Sequence, residues 1–71
     1  MYNIIMKFEN RLKELRKTNN LSQMQLAEKT GFSQSAIAKW ELGKTEPTAS
    51  AIIALAGFFG ETTDFLLGLV D

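Results

Sequence analysis

The chain of 71 residues contains no cysteine and no histidine, and these two absences remove several classes of function. Without cysteine it can form no disulfide and no catalytic thiolate, which fits a protein of the reducing cytoplasm. Without histidine it lacks the commonest general base and, with cysteine also absent, the usual ligands of zinc. We therefore expect no enzyme, no metal site and no cofactor.

Long apolar runs are also missing. No stretch approaches the length of a membrane span, and the N-terminus lacks the apolar segment and cleavage site of a signal peptide. With 45% apolar residues the chain can still form a core, although a domain of this size buries only about 60% of its unfolded surface. The composition predicts one small domain with no membrane association and no evident small-molecule ligand.

An excess of charge of one sign is absent from the chain as a whole, but not from its two parts. Residues 1–45 contain all eight Lys and Arg and four Glu, a formal charge of +4. Residues 46–71 contain four acidic residues and no basic one, a formal charge of −4. Such asymmetry is typical of proteins that contact nucleic acid, while solvated charged faces alone would also explain it.

Residues 22–43 predict two short helices set around a tight turn. Ser22 and Ser33 are suited to cap the two helices, because a hydroxyl accepts a backbone N–H that is unpaired in the first turn. Gly31 can adopt the positive φ that ends the first helix. Ala27 is small enough to let the two helices cross closely.

The helix before this pair is predicted for residues 7–18, with two distinct faces. Its apolar face contains Phe8, Leu12 and Leu15, and its polar face contains Arg11, Lys13, Glu14 and Lys17. In the third helix, Ile37 and Trp40 at i and i+3 form one apolar stripe.

Two more helices follow the single proline, Pro47. Thr48 is the expected cap of a helix that ends near Phe59, and Thr62 or Thr63 the cap of a last helix that is closed by Gly68. The prediction is an all-α, compact five-helix domain over residues 7–68, with an N-terminal arm at 1–6 and a C-terminal tail at 69–71. Met1 and Met6 are both possible native starts.

The order and spacing of these residues resemble the helix-turn-helix of the Cro and phage-repressor family of DNA-binding domains. The resemblance covers roughly residues 7 to 68. It rests on Gln23, Leu26-Ala27, Gly31, Ile37, Lys39-Trp40-Glu41, Gly43-Lys44, Glu46-Pro47 and the run from Asp64 to Gly68. Three positions depart from the family pattern: Leu42, where Asn is frequent, and Ala49 and Glu61, where larger apolar residues are common.

The resemblance implies that helices 2 and 3 form the motif and that helix 3 enters the major groove of double-stranded DNA. The N-terminal residues of such a helix reach base edges. By position these are Gln34, Ser35 and Lys39, with Ser33 at the surface of contact. Gln suits adenine, Ser several partners and Lys guanine, although Lys39 is also placed for a phosphate. Polar residues in a first helical turn can equally be solvated only.

The resemblance also implies contacts to the DNA backbone. Gln23, in the first turn of helix 2, is expected to bind a phosphate and to brace Gln34. Lys44 and Thr45 are placed for the next phosphates. The alternative for each is an ordinary solvated side chain.

A structural pair is implied in addition. An Arg in helix 1, here Arg16, is expected to meet the Glu that follows the aromatic residue of helix 3, here Glu41. Trp40 itself is expected in the core, because aromatic stacking platforms serve single strands.

The predicted function is a transcriptional regulator, a repressor that binds a palindromic operator as a homodimer. The expected dimer contact is the apolar C-terminal segment, with Phe58, Phe65, Leu69 and Val70, which exceed what one small core can cover. The alternative is an antitoxin-like or regulatory protein-interaction module with the same fold.

Overall fold

Five helices form the part of the chain that the computed structural model describes, residues 4–71. They are α1 (Phe8–Thr18), α2 (Gln23–Thr30), α3 (Gln34–Glu41), α4 (Ala49–Phe59) and α5 (Thr63–Leu66). No strand occurs within residues 4–71, and the predicted all-α class is confirmed. The predicted N-terminal arm falls partly on residues 1–3, which lie outside the described residues.

Four of the helices begin at Ser or Thr caps that the sequence predicts. Each hydroxyl accepts a hydrogen bond from the backbone N–H three residues later, at 3.0 or 3.1 Å. The caps are Ser22, Ser33, Thr48 and Thr62. α1 starts one residue later than predicted, with Lys7 as its N-cap and no side-chain hydrogen bond. Lysine has no side-chain acceptor, so the first turn of α1 is not held by a cap.

The core lies where the five helices meet. Its largest fully buried side chains come one from each helix: Leu12, Leu26, Ile37, Leu55 and Leu66. Burying one such side chain contributes about 1.5–3 kcal/mol. The core therefore ties every helix to the others. None of the helices in residues 4–71 is long and apolar enough to cross a membrane.

Arg11 corrects one sequence prediction, because it does not lie on a solvated face of α1. Arg11 is only 4% exposed, and its guanidinium lies 3.8 Å from the centre of the Phe65 ring. Its Nη2 donates to the backbone carbonyl of Val70 at 3.3 Å, and its Nη1 lies 3.7 Å from Glu14. Arg11 borders the apolar stripe of α1, where α5 and the residues after it cover the helix.

The segment before α1 is attached to the turn after α5. The backbone N–H of Ile5 donates to the carbonyl of Gly68 at 2.7 Å. Gly68 has a φ of +76°, and a Cβ built on it would overlap the carbonyl of Met6. Ile5 and Met6, which the sequence assigns to an arm, are thus held against the domain.

We expect Gly68→Ala to destabilise the domain more than Gly60→Ala. Both glycines have positive φ, +76° and +70°, but nothing lies within 4 Å of a Cβ at Gly60. Left-handed strain costs about 1–2 kcal/mol at either site, and overlap with Met6 should raise the loss at Gly68 to about 2–4 kcal/mol. Urea unfolding gives the two losses, and hydrogen exchange should show a faster Ile5 amide only in Gly68→Ala. Equal losses would contradict the packing of Met6 on Gly68.

Candidate nucleic-acid interface

α2 and α3 form a closely packed pair around a glycine turn. Gly31 ends α2 with a φ of +82°, and its N–H donates to the carbonyl of Ala27. Ser22 and Gln25 make a capping box at the other end of α2, each side chain accepting from the other residue's backbone N–H. The expected turn and caps of this motif are confirmed.

The inner face of α3 is held in the core. Ile37 is fully buried, and Trp40 is 8% exposed with its ring 5.2 Å from that of Phe32 in a T-shaped arrangement. The prediction that Trp40 belongs to the core is confirmed. Because these residues anchor α3, its opposite face is left to solvent.

That outward face contains the residues predicted to read DNA. Gln34, Ser35 and Lys39 are all exposed. Ser33 is exposed too, and its Oγ accepts the N–H of Ala36, so its hydroxyl still has one hydrogen to donate and one lone pair to accept. The structure thus brings amide, hydroxyl and ammonium groups together on one surface of a rigid helix.

The loop after α3 turns sharply and presents the two predicted backbone contacts. Gly43 has a φ of +72°, and the N–H of Lys44 donates to the carbonyl of Lys39 at 2.9 Å. This closes the helix end in the manner of a Schellman turn. The side chains of Lys44 and Thr45 are exposed just beyond it.

Beneath this surface, Glu41 accepts hydrogen bonds from two other helices. Arg16 of α1 donates its Nε to Glu41 Oε2 at 2.7 Å and its Nη2 to Oε1 at 2.9 Å. Gln23 of α2 donates its side-chain N–H to Oε1 at 3.1 Å. Arg16 also donates to the carbonyl of Leu21 at 2.9 Å. Glu41 is only 3% exposed, so its carboxylate depends on these protein donors and not on water for its hydrogen bonds.

The position of Gln23 corrects part of the expectation from resemblance. Its hydrogen bond goes to Glu41 and not to Gln34. A buried carboxylate is a stronger acceptor than a neutral amide, which explains the choice. The Gln23 amide has a second N–H, so this bond leaves one donor for a phosphate.

Electrostatics at Glu41 favour the charged carboxylate. Burial raises the pKa of Glu41, but the hydrogen bonds from Arg16 and Gln23, and the positive charges of Arg16 and Lys13, outweigh it. The net result is a pKa below the ordinary value. The pair with Arg16 is therefore ionised at neutral pH.

The predicted dimer residues are not equally available. Phe58 and Val70 are 39% and 44% exposed, whereas Leu69 is half-buried. Phe65 is half-buried: it packs against the core and lies under Arg11, so less of its ring is free than the sequence predicts. Ile53, on the outward face of α4, is 65% exposed and is missing from the residues that the sequence predicts for this contact. The sequence did indicate an exposed apolar residue on this helix, because α4 contains no charged residue.

We expect Arg16→Ala to lower the free energy of unfolding by about 3–5 kcal/mol, because it leaves the buried Glu41 carboxylate with Gln23 alone. The neighbouring Lys17, which is exposed, provides the control. Lys17→Ala should change stability by no more than about 0.5 kcal/mol. Urea unfolding at neutral pH measures both, and similar losses would contradict the structural role of the pair.

A second expectation concerns acid. The pKa of Glu41 is lowered in the folded chain from an ordinary value of 4.5. Its contribution to stability is therefore complete above pH 4.5 and is lost as the pH falls through the lower, folded pKa. Glu41→Gln should be less stable than wild type at neutral pH, and its stability should fall less between neutral pH and strong acid. Thermal melts across this range test it, and parallel curves would refute it.

Comparison with known proteins agrees with this geometry. A family model described as Helix-turn-helix matches residues 12–66. The transcriptional activator BcrR of Enterococcus faecalis is 44% identical over 62 residues, which are 87% of this chain and 30% of BcrR. The immunity repressor protein of Bacillus phage phi105 is 38% identical over 58 residues, 82% of this chain and 40% of the repressor. The chain thus spans less than half the length of these two relatives.

Among solved structures, the P22 c2 repressor in complex with a synthetic operator superposes with a TM-score of 0.80. It is 31% identical, and the match covers 87% of this chain and 94% of that one. With the glycine turn, the paired caps and the outward face of α3 all in place, this chain belongs to the helix-turn-helix family and is of the phage-repressor type.

Proposed function

We propose that this chain is a sequence-specific, double-stranded DNA-binding transcriptional regulator. The observation that carries the proposal is the division of α3 into two faces. Ile37 and Trp40 lock the helix into the core, while Gln34 and Ser35 remain exposed in its first turn. A recognition helix needs this combination, because base readout depends on polar groups held in a fixed position. The similarity to a repressor solved with its operator supports the same role.

The proposed action is repression, in which the bound domain occupies its operator. The relatives include both an activator and a repressor by name, so the sign of regulation needs its own test. A reporter gene placed behind the selected site should be expressed less when the chain is present. Higher expression would make it an activator and overturn this part of the proposal.

The proposed operator is palindromic and is bound by a homodimer. One module reads few base pairs, so specificity requires two half-sites about 34 Å apart. The domain measures 35 × 24 × 20 Å, which lets two copies on such half-sites touch each other. Phe58 and Val70 supply exposed apolar surface for this contact, and the half-buried Phe65 and Leu69 belong to the same proposed surface.

The direct test is selection of bound duplexes from a random DNA library. Recovery of a shared palindrome would support both sequence-specific binding and the dimer. If no sequence is enriched above the starting pool, DNA reading is refuted and the antitoxin-like interaction module is favoured.

Gln34→Ala tests base reading. We expect a loss of about 1–3 kcal/mol per half-site on the selected operator, with relaxed specificity at one base position and little loss on scrambled DNA. Stability should barely change, because Gln34 is exposed. Binding titrations on both DNAs measure the effect. Equal loss on the two DNAs, or no loss on either, would remove Gln34 from the reading surface.

Lys44→Ala tests phosphate binding instead. With about six phosphates neutralised by a dimer, the wild-type log–log salt slope should be near −5. Because a phosphate carries no base identity, Lys44→Ala should weaken all sequences alike and flatten the slope by about one for each phosphate that is no longer neutralised. Titrations at several salt concentrations decide it. A slope unchanged by the substitution would exclude Lys44 from binding the DNA backbone.

Phe58→Ser tests the dimer contact. It removes exposed apolar surface at the end of α4, so we expect weaker self-association with no loss of fold. The control is Met24→Ser, which changes an apolar residue of similar exposure on α2. Sedimentation over a concentration series, with and without operator, reports the assembly. A wild-type chain that is monomeric both free and bound would exclude the dimer.

A further inference from the structure

Three residues of α1 form a stripe that faces the C-terminal end of α3. Glu9, Lys13 and Arg16 are spaced i, i+4 and i+7, so they lie on one face of α1. Both ends of the stripe are located by contacts. The Glu9 carboxylate lies directly against Gly43, where a Cβ would overlap it, and Arg16 binds Glu41.

Lys13 lies between these two anchors, and its position follows from them. A side chain between Glu9 and Arg16 on this face is directed at the stretch between Glu41 and Gly43, the C-terminal end of α3. Glu9, Gly43 and Thr45 also line one groove, which places this part of α1 beside the loop that carries Lys44. The effect of the Lys13 charge on the pKa of Glu41 is consistent with this proximity.

The ammonium of Lys13 makes no ion pair with the part of the chain from residue 4 to residue 71. Glu41, whose carboxylate feels the Lys13 charge, already accepts three hydrogen bonds from Arg16 and Gln23. Within residues 4–71 the ion pairs closer than 4.0 Å are those of Arg11 and Arg16. Lys13 is half-buried, and a lysine in this state packs its stem against the protein while its ammonium reaches solvent.

The C-cap of α3, which Lys13 approaches, offers no side-chain donor of its own. Leu42, the C-cap of α3, is 63% exposed and apolar. The backbone N–H groups of Gly43 and Lys44 are consumed by the carbonyls of Trp40 and Lys39. A phosphate that passes between Gln23 and Lys44 would meet an apolar gap at Leu42, next to an unused lysine.

We propose that Lys13 binds a phosphate of the DNA backbone at this gap, as a contact contributed by α1 to the interface of α2 and α3. The inference rests on the proposed function, since it requires that the chain bind DNA. It adds to the interface a residue from outside the helix-turn-helix, and it predicts that a phosphate lies beside Leu42 in the complex.

Lys13→Gln tests the assignment, with Lys29→Gln as its matched control. Both remove one positive charge, but Lys29 is exposed in the last turn of α2, about 9 Å along the helix from Gln23. Lys13→Gln should weaken the selected operator and a scrambled duplex equally and flatten the salt slope by about 0.9 per subunit. The ratio of wild-type to variant affinity should therefore fall about 3.5-fold per subunit between 50 and 200 mM salt. Lys29→Gln should leave the slope unchanged.

A second variant tests the location. Adding Leu42→Lys to Lys13→Gln returns a cation to the same gap and should restore the slope, while thermal melts show that both variants are folded. Equal slopes for Lys13→Gln and Lys29→Gln would overturn the contact, and failure of Leu42→Lys to restore the slope would overturn its placement. If the wild type binds DNA with a steep salt slope, these failures count against the Lys13 contact alone and leave the proposed function intact. A wild type that binds no DNA overturns both.

Discussion

The buried carboxylate of Glu41 connects the three helices on which the candidate interface depends. It belongs to α3 and receives hydrogen bonds from Arg16 of α1 and Gln23 of α2. A carboxylate removed from water is tolerated only while its donors remain in place. Any rotation or sliding of α3 would break these bonds and leave a charge unpaired. The apolar core brings the helices together, and the hydrogen bonds of Glu41 add a directional constraint on how α3 lies against α1 and α2.

This arrangement explains how so small a domain can hold the proposed reading surface in a fixed orientation. Glu41 lies on the inner side of α3 and Gln34 on its outer side. The side chain that holds the helix in place is therefore separate from the side chain proposed to face the DNA. Gln23 contributes to both sides, since its amide donates to Glu41 and has a second N–H to spare. The proposed backbone and base contacts thus share one rigid support, and a rigid support reduces the ordering that binding has to impose.

Much of the fold follows from local rules. Ser22, Ser33 and Thr48 cap helices because a hydroxyl acts on N–H groups within three residues of it. Gly31 ends α2 because glycine adopts a positive φ at little cost, whatever surrounds it in the fold. The outward position of Gln34 and the buried position of Trp40 follow from the helical period, once the apolar residues are known to face inward. Each of these predictions needed only a short window of sequence.

Arg11 and Phe65 did not follow from such rules, because their surroundings are set by residues far away in the chain. Arg11 looks like a member of the polar face of α1, yet its guanidinium covers Phe65 and binds the carbonyl of Val70, 59 positions further on. That contact buries the cation and also covers part of Phe65. The sequence by itself determined the helices, their ends and the face that α3 turns outward, since these depend on neighbours in the chain. Only the tertiary structure decided which charged and apolar side chains were buried, because burial depends on what the distant α5 and its following residues cover.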